Sequence, residues 1–501
     1  MKILTLAAPA VSVLAIASAS AACAEVSAQE VWDSWKSNLG VYGAEGISIG
    51  AEDYSGGVLT VSDIAISIAD DTGSMDATIA SIEFAEQGDG TVIVTMSEEV
   101  PISITSAASE GTDEMALEAA MRQQDLEMLV SGTADAMTYD ISATRLALDL
   151  DSIGDGTATG SGSVVFNDLA GTYSVTTADM QTVDSDLSAA SLGIGFNIDD
   201  PAEDVVFSMK GSIKDISSTG TMVSPLAENT TPDTVLVDGL TGEGTYSLGA
   251  TSISFDMTSE GMPVTGTLTA EGSNFGAGVS AEGVHYSSST TGLSVEASST
   301  MLPFPVTVSL AESGMTFAMP LSATEEPAPF AFGINLTDLA VNDEIWGLVD
   351  PGAVLPHDPA TLVIGLTGTA RLFADLADPA QAAALAEMEM PGEVNSVSLD
   401  DLTIAVAGAE VSGTGAFTFD NSDTTTIPGV PRPEGKLELA ASGINELMDN
   451  LVAMGLLPQE QAMGARMMLG LFSVPTGDDQ LTTTIEVNAE GQILANGQRL
   501  Q

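Results

Sequence analysis

The sequence predicts a mainly β protein: large antiparallel sheets, arranged as a sandwich or a curved half-pipe, with an N-terminal helix and a helical hairpin near the C-terminus. Three observations carry that expectation. Apolar residues alternate with Ser, Thr, Asp and Glu along most of the 501 residues, Gly-rich clusters punctuate the alternation, and helical periodicity is confined to a few short segments.

Met1-Lys2 precedes an apolar stretch from Ile3 to Ala19, and the small residues after it end in Ala22-Cys23-Ala24. A short basic region, an apolar region and an A-x-A site are the parts of an export signal, so residues 1–24 are expected to be a cleaved leader. Pro9 and the many Ala and Ser residues dilute the run below the roughly 20 strongly apolar residues a spanning helix needs, and no later segment qualifies. Cys23, the one cysteine, leaves a second reading open. Ser20-Ala21-Ala22-Cys23 has the outline of a bacterial lipobox, whose cysteine would be acylated, although the large aliphatic residue expected three positions before it is missing. On either reading the exported chain forms no internal disulfide, and its stability rests on packing and hydrogen bonding.

The chain carries 71 acidic and 11 basic residues, a formal net charge of −60, and loss of the leader would remove only Lys2 from that balance. Such a surface repels phosphate backbones and anionic headgroups, which argues against nucleic acid and anionic membrane surfaces as partners. The acids are spread along the whole chain, as on a solubilising surface, and are not gathered into a tail.

The exported chain is expected to begin with a helix: Ser27 and Glu30 form a capping box, Val31, Trp32, Trp35 and Leu39 share a face, and Gly40 is the stop. That stripe reads as an amphipathic helix docked on a sheet. From Ile47 to Thr105 apolar residues recur at every second position, between turns at Ser55-Gly56-Gly57, Asp70-Asp71-Thr72-Gly73 and Gly88-Asp89-Gly90, which is the pattern of an antiparallel meander. A helix is expected near 114–129, then strands at 139–150, 162–166, 172–176, 205–216, 244–257 and 264–271.

Two stretches, 223–234 and 320–329, lose the periodicity and gather Pro, Thr and Glu. They divide the chain into a leader (1–24), an N-terminal β-rich domain (25–222), a middle antiparallel segment (235–320) and a C-terminal β domain (330–501) that holds a helical hairpin at 443–472. One strand unit is reused: an Asp opens an alternating run in Asp63-Ile64-Ala65-Ile66, Asp338-Leu339-Ala340-Val341 and Asp401-Leu402-Thr403-Ile404. The spacing of these units is too irregular for a solenoid.

In the last third, Asp378-Pro379 is expected to cap a short Ala-rich helix to Met390. A helix from about Gly443 puts Ile444, Leu447, Met448, Leu451 and Val452 on one stripe, and Pro458 starts another with Met463, Met467 and Leu471. The two make a hairpin with a Met-rich inner face, so Met448, Leu451, Met463, Met467 and Leu471 are the candidate apolar-ligand or core face. Residues 482–487 and 492–494 form a last hairpin, and Asn496-Gly497 marks a further tight turn.

Several stretches carry a family resemblance: Val31-Trp32-Asp33-Ser34-Trp35-Lys36, Asp343-Glu344-Ile345-Trp346-Gly347, Leu355-Pro356-His357-Asp358-Pro359-Ala360-Thr361-Leu362, and the end from Leu447 through Gly455-Leu456-Leu457-Pro458 and Met463-Gly464-Ala465-Arg466-Met467-Met468 to Ala495-Asn496-Gly497-Gln498. With these the chain resembles domain of unknown function family 2125, exported alphaproteobacterial proteins of the Rhodobacter type. The resemblance implies an exported compartment and carries no activity to particular residues. At the level of fold alone, a sheet meander closed by a helical hairpin also looks like the large envelope β-groove proteins, some of which handle lipids.

Catalytic chemistry finds little support. Gly46-Ile47-Ser48-Ile49-Gly50 matches G-x-S-x-G, but it lies inside an alternating strand where a nucleophile elbow needs a strand, a sharp turn and a helix. His285 and His357 stand apart from any second histidine or cysteine that would complete a metal set. Asp149-Leu150-Asp151 with Asp155-Gly156 has the outline of a calcium loop, yet Ile153 and Gly160 stand at ligand positions. Three Trp and six Tyr are few for a sugar-stacking cleft. No catalytic residue, cofactor or metal site is therefore expected.

The helices are too few and too short to cover every apolar sheet face, so those faces must meet each other or enclose something. Self-burial is the commoner solution, and a half-pipe with an apolar lumen is the other. The expectation is a non-enzymatic periplasmic scaffold or binding protein of the envelope, whose partner is an envelope protein or an apolar ligand. A periplasmic carrier of lipid in a β-groove is the alternative, and a carboxylate-based hydrolase a weaker one.

Overall fold

The computed structural model describes residues 25–41, 46–70, 73–106, 115–154, 158–226, 234–381 and 391–500; the leader and Cys23 lie outside them. The described residues form one 26-stranded antiparallel sheet with helices α1 (Ala28–Val41), α2 (Asp343–Val349), α3 (Ile444–Ala453) and α4 (Gln459–Phe472). The first strands are β1 (Ile47–Ser55), β2 (Val58–Asp70), β3 (Gly73–Glu86), β4 (Val92–Met96), β5 (Glu99–Ser106), β6 (Met115–Gln124), β7 (Glu127–Thr133), β8 (Ala136–Gly154), β9 (Thr159–Thr177), β10 (Met180–Asp200) and β11 (Val205–Pro225). Next come β12 (Thr241–Leu248), β13 (Thr251–Ser259), β14 (Met262–Ala270), β15 (Gly272–Val279), β16 (Gly283–Ser299), β17 (Val306–Pro320), β18 (Ala328–Val341), β19 (Ala360–Leu372), β20 (Gly392–Val406), β21 (Ala409–Asp420) and β22 (Arg432–Ser442). The last are β23 (Val474–Gly477), β24 (Gln480–Val487), β25 (Ile493–Ala495) and β26 (Gln498–Arg499).

The topology is a meander of long hairpins. β4 with β5, β6 with β7, β12 with β13 and β14 with β15 lie end to end, each pair acting as one interrupted strand between the same neighbours. The strands on either side of both Pro-rich stretches pair, β11 with β12 and β17 with β18.

A seam of kinks crosses this sheet near mid-strand. Asp63, Asp125, Asp168, Asp215, Gly292 and Asp338 have φ of 54°, 54°, 51°, 49°, 60° and 55°, the left-handed region, and each is followed by Ile or Leu. The register lines them up: Asp63 faces Gly50 across β1–β2, and Asp215 faces Gly249 across β11 and the β12–β13 break. Glycine is required opposite, because a Cβ on Gly50 would lie 2.7 Å from the Asp63 Cβ, and one on Gly249 would lie 3.1 Å from the Asp215 Cβ. Asp tolerates this backbone better than most residues. Such bulges bend a strand and raise its twist, and here they also shift the alternation by one residue.

Fully buried side chains cluster at one end. Trp32, Phe84, Leu59, Ile64, Val31, Val61, Val92, Val94 and Val130 are the largest of them, all within the core under α1. The expected capping box is present: Ser27 N–H and Oγ–H donate to Glu30 Oε2 at 2.8 Å, and Glu30 N–H donates back to Ser27 Oγ at 3.3 Å. The Trp32 indole donates to Glu52 at 2.8 Å, and Trp35 meets Phe84 edge-on at 5.4 Å. The helix runs one residue past Gly40, to Val41.

Three expectations are corrected. The helix expected near 114–129 is, over its described residues, strand β6 and the start of β7, because β6 pairs with β5 and β8 and β7 with β4 and β8, and tertiary pairing overrides helix propensity. Asp63, Asp338 and Asp401 do not open strands; they lie inside β2, β18 and β20, and the first two kink them. Of the two arrangements weighed for the sheet, a dry sandwich is not what burial shows, since among the described residues between Thr159 and Ser442 no Val, Leu, Ile, Met or aromatic side chain is buried. Asp378 accepts from the Ala380 N–H at 2.9 Å as a cap should, but most of the expected helix to Met390 lies outside the described residues.

Candidate functional site

Paired residues of antiparallel strands point to the same side, so the register traces each face. One row passes from Val100 through Met121, Leu148, Val164, Ile194, Gly211, Ile253, Leu268, Val295 and Val308 to Val341, eleven strands with an apolar residue or glycine at every step. Beyond the seam a second row reads Ala277, Tyr286, Phe317, Phe332, Leu366, Leu399. From Val164 onward none of these side chains is buried. Leu148, Val295 and Met315 are 50%, 37% and 42% exposed. Among the described residues this face is continuous and apolar, and the helices in contact with the sheet are α1 at β2 and β3 and α3 at β21.

The opposite face is polar. A shallow cross-strand trench of about 600 Å³ lies there, between rows that include Ser217, Ser247, Asn274 and Ser289 on one side and Thr219, Thr245, Ser287 and Thr316 on the other. Tyr246, Phe275, Met315, Ile334, Val363 and Ile364 also line it, so the trench mixes hydroxyls and amides with apolar side chains.

The five hairpin residues are not brought together. Met448 is buried and Leu451 half-buried, whereas Met463, Met467 and Leu471 point outward, so the Met-rich inner face is a correction. α4 is apolar nearly all round, and periodicity alone does not choose its inner side. Arg466 chooses it: its guanidinium donates to the Asn445 carbonyl at 3.0 Å and pairs with Asp449 at 2.6 Å, turning the Ala462 side to α3. Asp479 caps α3 from outside the helix, accepting from the N–H groups of Asn445 at 3.1 Å and Glu446 at 3.0 Å. Burial pushes the Asp479 carboxyl up, but those N–H donors, the Asn445 amide and the Arg466 charge outweigh it and hold it below the usual carboxylate range.

The other candidate residues have structural partners. Gly46 to Gly50 lead into and lie in β1 as expected of a strand, with Gly50 fitted against Asp63. Asp149 and Asp151 are taken by Arg122, at 3.1 and 2.8 Å; Asp155 and Gly156 lie outside the described residues. His285 lies in β16. Sequence reasoning missed α2 and a knot beside it. His357 stacks on Trp346 at 4.5 Å, and the buried Asp350 accepts the Leu355 N–H at 2.7 Å and lies 3.6 Å from the His357 imidazole. The Leu355 N–H, against the opposing effect of desolvation, keeps the Asp350 carboxyl below its ordinary range. The Asp343–Gly347 and Leu355–Pro359 stretches, which carry part of the family resemblance, converge here in the connection between β18 and β19.

Among the described residues no group of three or more His, Cys, Asp or Glu is placed to hold a metal ion, and no helix is long and apolar enough to cross a membrane.

Fold and face together define a single-layer antiparallel β protein with one apolar and one polar side. Residues 245–497 match the uncharacterized proteins conserved in bacteria called DUF2125, and the chain belongs to that family. The Val31–Lys36 stretch lies outside the matched segment. No curated protein matches the chain. Among solved structures, the ferric citrate transporter FecA in its unliganded form aligns over 91% of this chain and 76% of its own, at 8% identity and a TM-score of 0.16, too low to define a shared fold.

Proposed function

We propose that the protein is an exported, non-enzymatic protein of the bacterial envelope that carries an apolar ligand, of the acyl-chain class, along the apolar face of its sheet. The observation that carries this reading is the unbroken row from Val100 to Val341, uncovered from Val164 onward. A pure scaffold gains by burying such a face, since each large aliphatic side chain left in water forgoes up to about 1.5–3 kcal/mol. Eleven strands at ~4.8 Å give a row of about 48 Å, ample for a chain filling half of a ~30 Å hydrocarbon core. The leader-like N-terminus supports a periplasmic location, and the acidic, hydroxyl-rich opposite face suits solvent. The resolved shifts at Asp350, Asp423 and Asp479 are downward, the wrong direction for the general acid of a carboxylate-based hydrolase.

The test is native mass spectrometry with lipid extraction on the chain purified from its own bacterium without detergent. A stoichiometric lipid mass is expected. A bare protein mass sinks the carrier reading and leaves a scaffold.

A further inference from the structure

The helical hairpin ends in an apolar surface left uncovered among the described residues. Leu456 in the α3–α4 turn and Met463, Met467, Met468 and Leu471 on α4 are 62%, 59%, 72%, 51% and 67% exposed. Their outward aim is fixed from both ends. Arg466 ties α4 to Asn445 and Asp449 of α3, and Asn496 Nδ2 donates to the Phe472 carbonyl at 2.8 Å where α4 ends. The charge is as uneven as the hydropathy: residues 461–477 contain no Asp or Glu and one Arg, in a chain with 71 acids.

We infer that this face docks on the interfacial region of a zwitterionic phospholipid bilayer. Its size excludes a stable protein interface. The 14 residues of α4 make a stripe of about 21 Å by 10 Å, roughly 200 Å², where a stable complex buries about 800 Å² per partner. A bilayer accepts a narrow apolar helix face without a matched surface, and flexible Met side chains suit its disordered boundary. Charge selects the lipid and the orientation: the acidic remainder is repelled by anionic headgroups, and the acid-free stretch is the end that can approach a membrane. The inference stands whether or not the sheet carries a ligand.

The experiment is flotation of the chain from Glu25 onward with phosphatidylcholine vesicles at near-physiological salt. The wild type is expected to float, and the variant Met463→Gln/Met467→Gln/Leu471→Gln to partition at least about tenfold more weakly, with unchanged circular dichroism because all three side chains are exposed. A wild type that stays in the soluble fraction overturns the inference, as does a variant that floats equally well. A wild type that instead forms a concentration-dependent dimer, made monomeric by the variant, assigns the face to a second copy and overturns it too.

Discussion

Val61 and Ile64 stand three residues apart in β2, yet both lie in the core under α1, 0% and 1% exposed. In a regular strand residues three apart face opposite sides. Asp63 between them, at φ 54°, absorbs one residue of the alternation and brings Ile64 back to the apolar side. The same apolar–polar–Asp–apolar spacing recurs as Phe166 and Leu169 around Asp168, Ile213 and Ile216 around Asp215, and Leu336 and Leu339 around Asp338. The kinks therefore bend every strand they cross while keeping one face apolar on both sides of the bend.

The matched pair at the seam is open to a double-mutant cycle. Gly50→Ala drives a Cβ to within 2.7 Å of the Asp63 Cβ and is expected to cost about 1–3 kcal/mol in urea unfolding. Asp63→Gly removes that Cβ, so the double variant should lose clearly less than Gly50→Ala alone. Asp63→Val places a β-branched residue in the left-handed region and is expected to destabilise by about 1–2 kcal/mol. Equal losses for Gly50→Ala with and without Asp63→Gly contradict the pairing.

The N-terminal core and the open face should respond differently to truncation. Phe84→Ala, at 0% exposure, is expected to cost about 3–5 kcal/mol and to release α1, read as lost protection of the α1 amides in hydrogen exchange.

Phe317→Ser/Phe332→Ser, a paired change on the uncovered face, is expected to remove co-purifying lipid while shifting Tm far less than Phe84→Ser does. A Tm loss as large as that of Phe84→Ser means the face is packed in solution.

Asp479 gives a pH dependence with a definite sign. Its folded carboxyl is held below the unfolded value of 3.8, so its stabilisation is present above about pH 4 and is lost as pH falls through the folded value. Asp479→Ala is expected to cost about 1 kcal/mol at pH 7, as a lost helix cap does, and this difference from the wild type should shrink as the pH falls below 4. A difference that is flat down to pH 2 contradicts the cap.

How far the fold is legible depends on how far apart the deciding residues lie. The Ser27–Glu30 capping box, the strand alternation and the Asn496-Gly497 turn involve neighbours a few residues apart and read directly. Asp63-Ile64 and Asp338-Leu339 are visible as repeated dipeptides, but their left-handed backbone is set by the strand across from them, so the sequence suggests strand starts where the chain kinks. Segment 114–129 has the composition of a helix, and its described residues become strand only because β4 and β5 on one side and β8 on the other bond to its edges.

The sequence by itself determined a mainly antiparallel β chain, its N-terminal helix, its C-terminal helical pair, its acidity and its family resemblance, all of which rest on local periodicity, capping and composition. Tertiary structure alone decided which apolar faces are covered. The outward turn of Met463, Met467 and Leu471 follows from Arg466 reaching Asn445, 21 residues away in sequence. The open sheet face follows from the lack of buried large apolar side chains among the described residues between Thr159 and Ser442. Periodicity marks a face as apolar, but burial depends on what lies opposite in space.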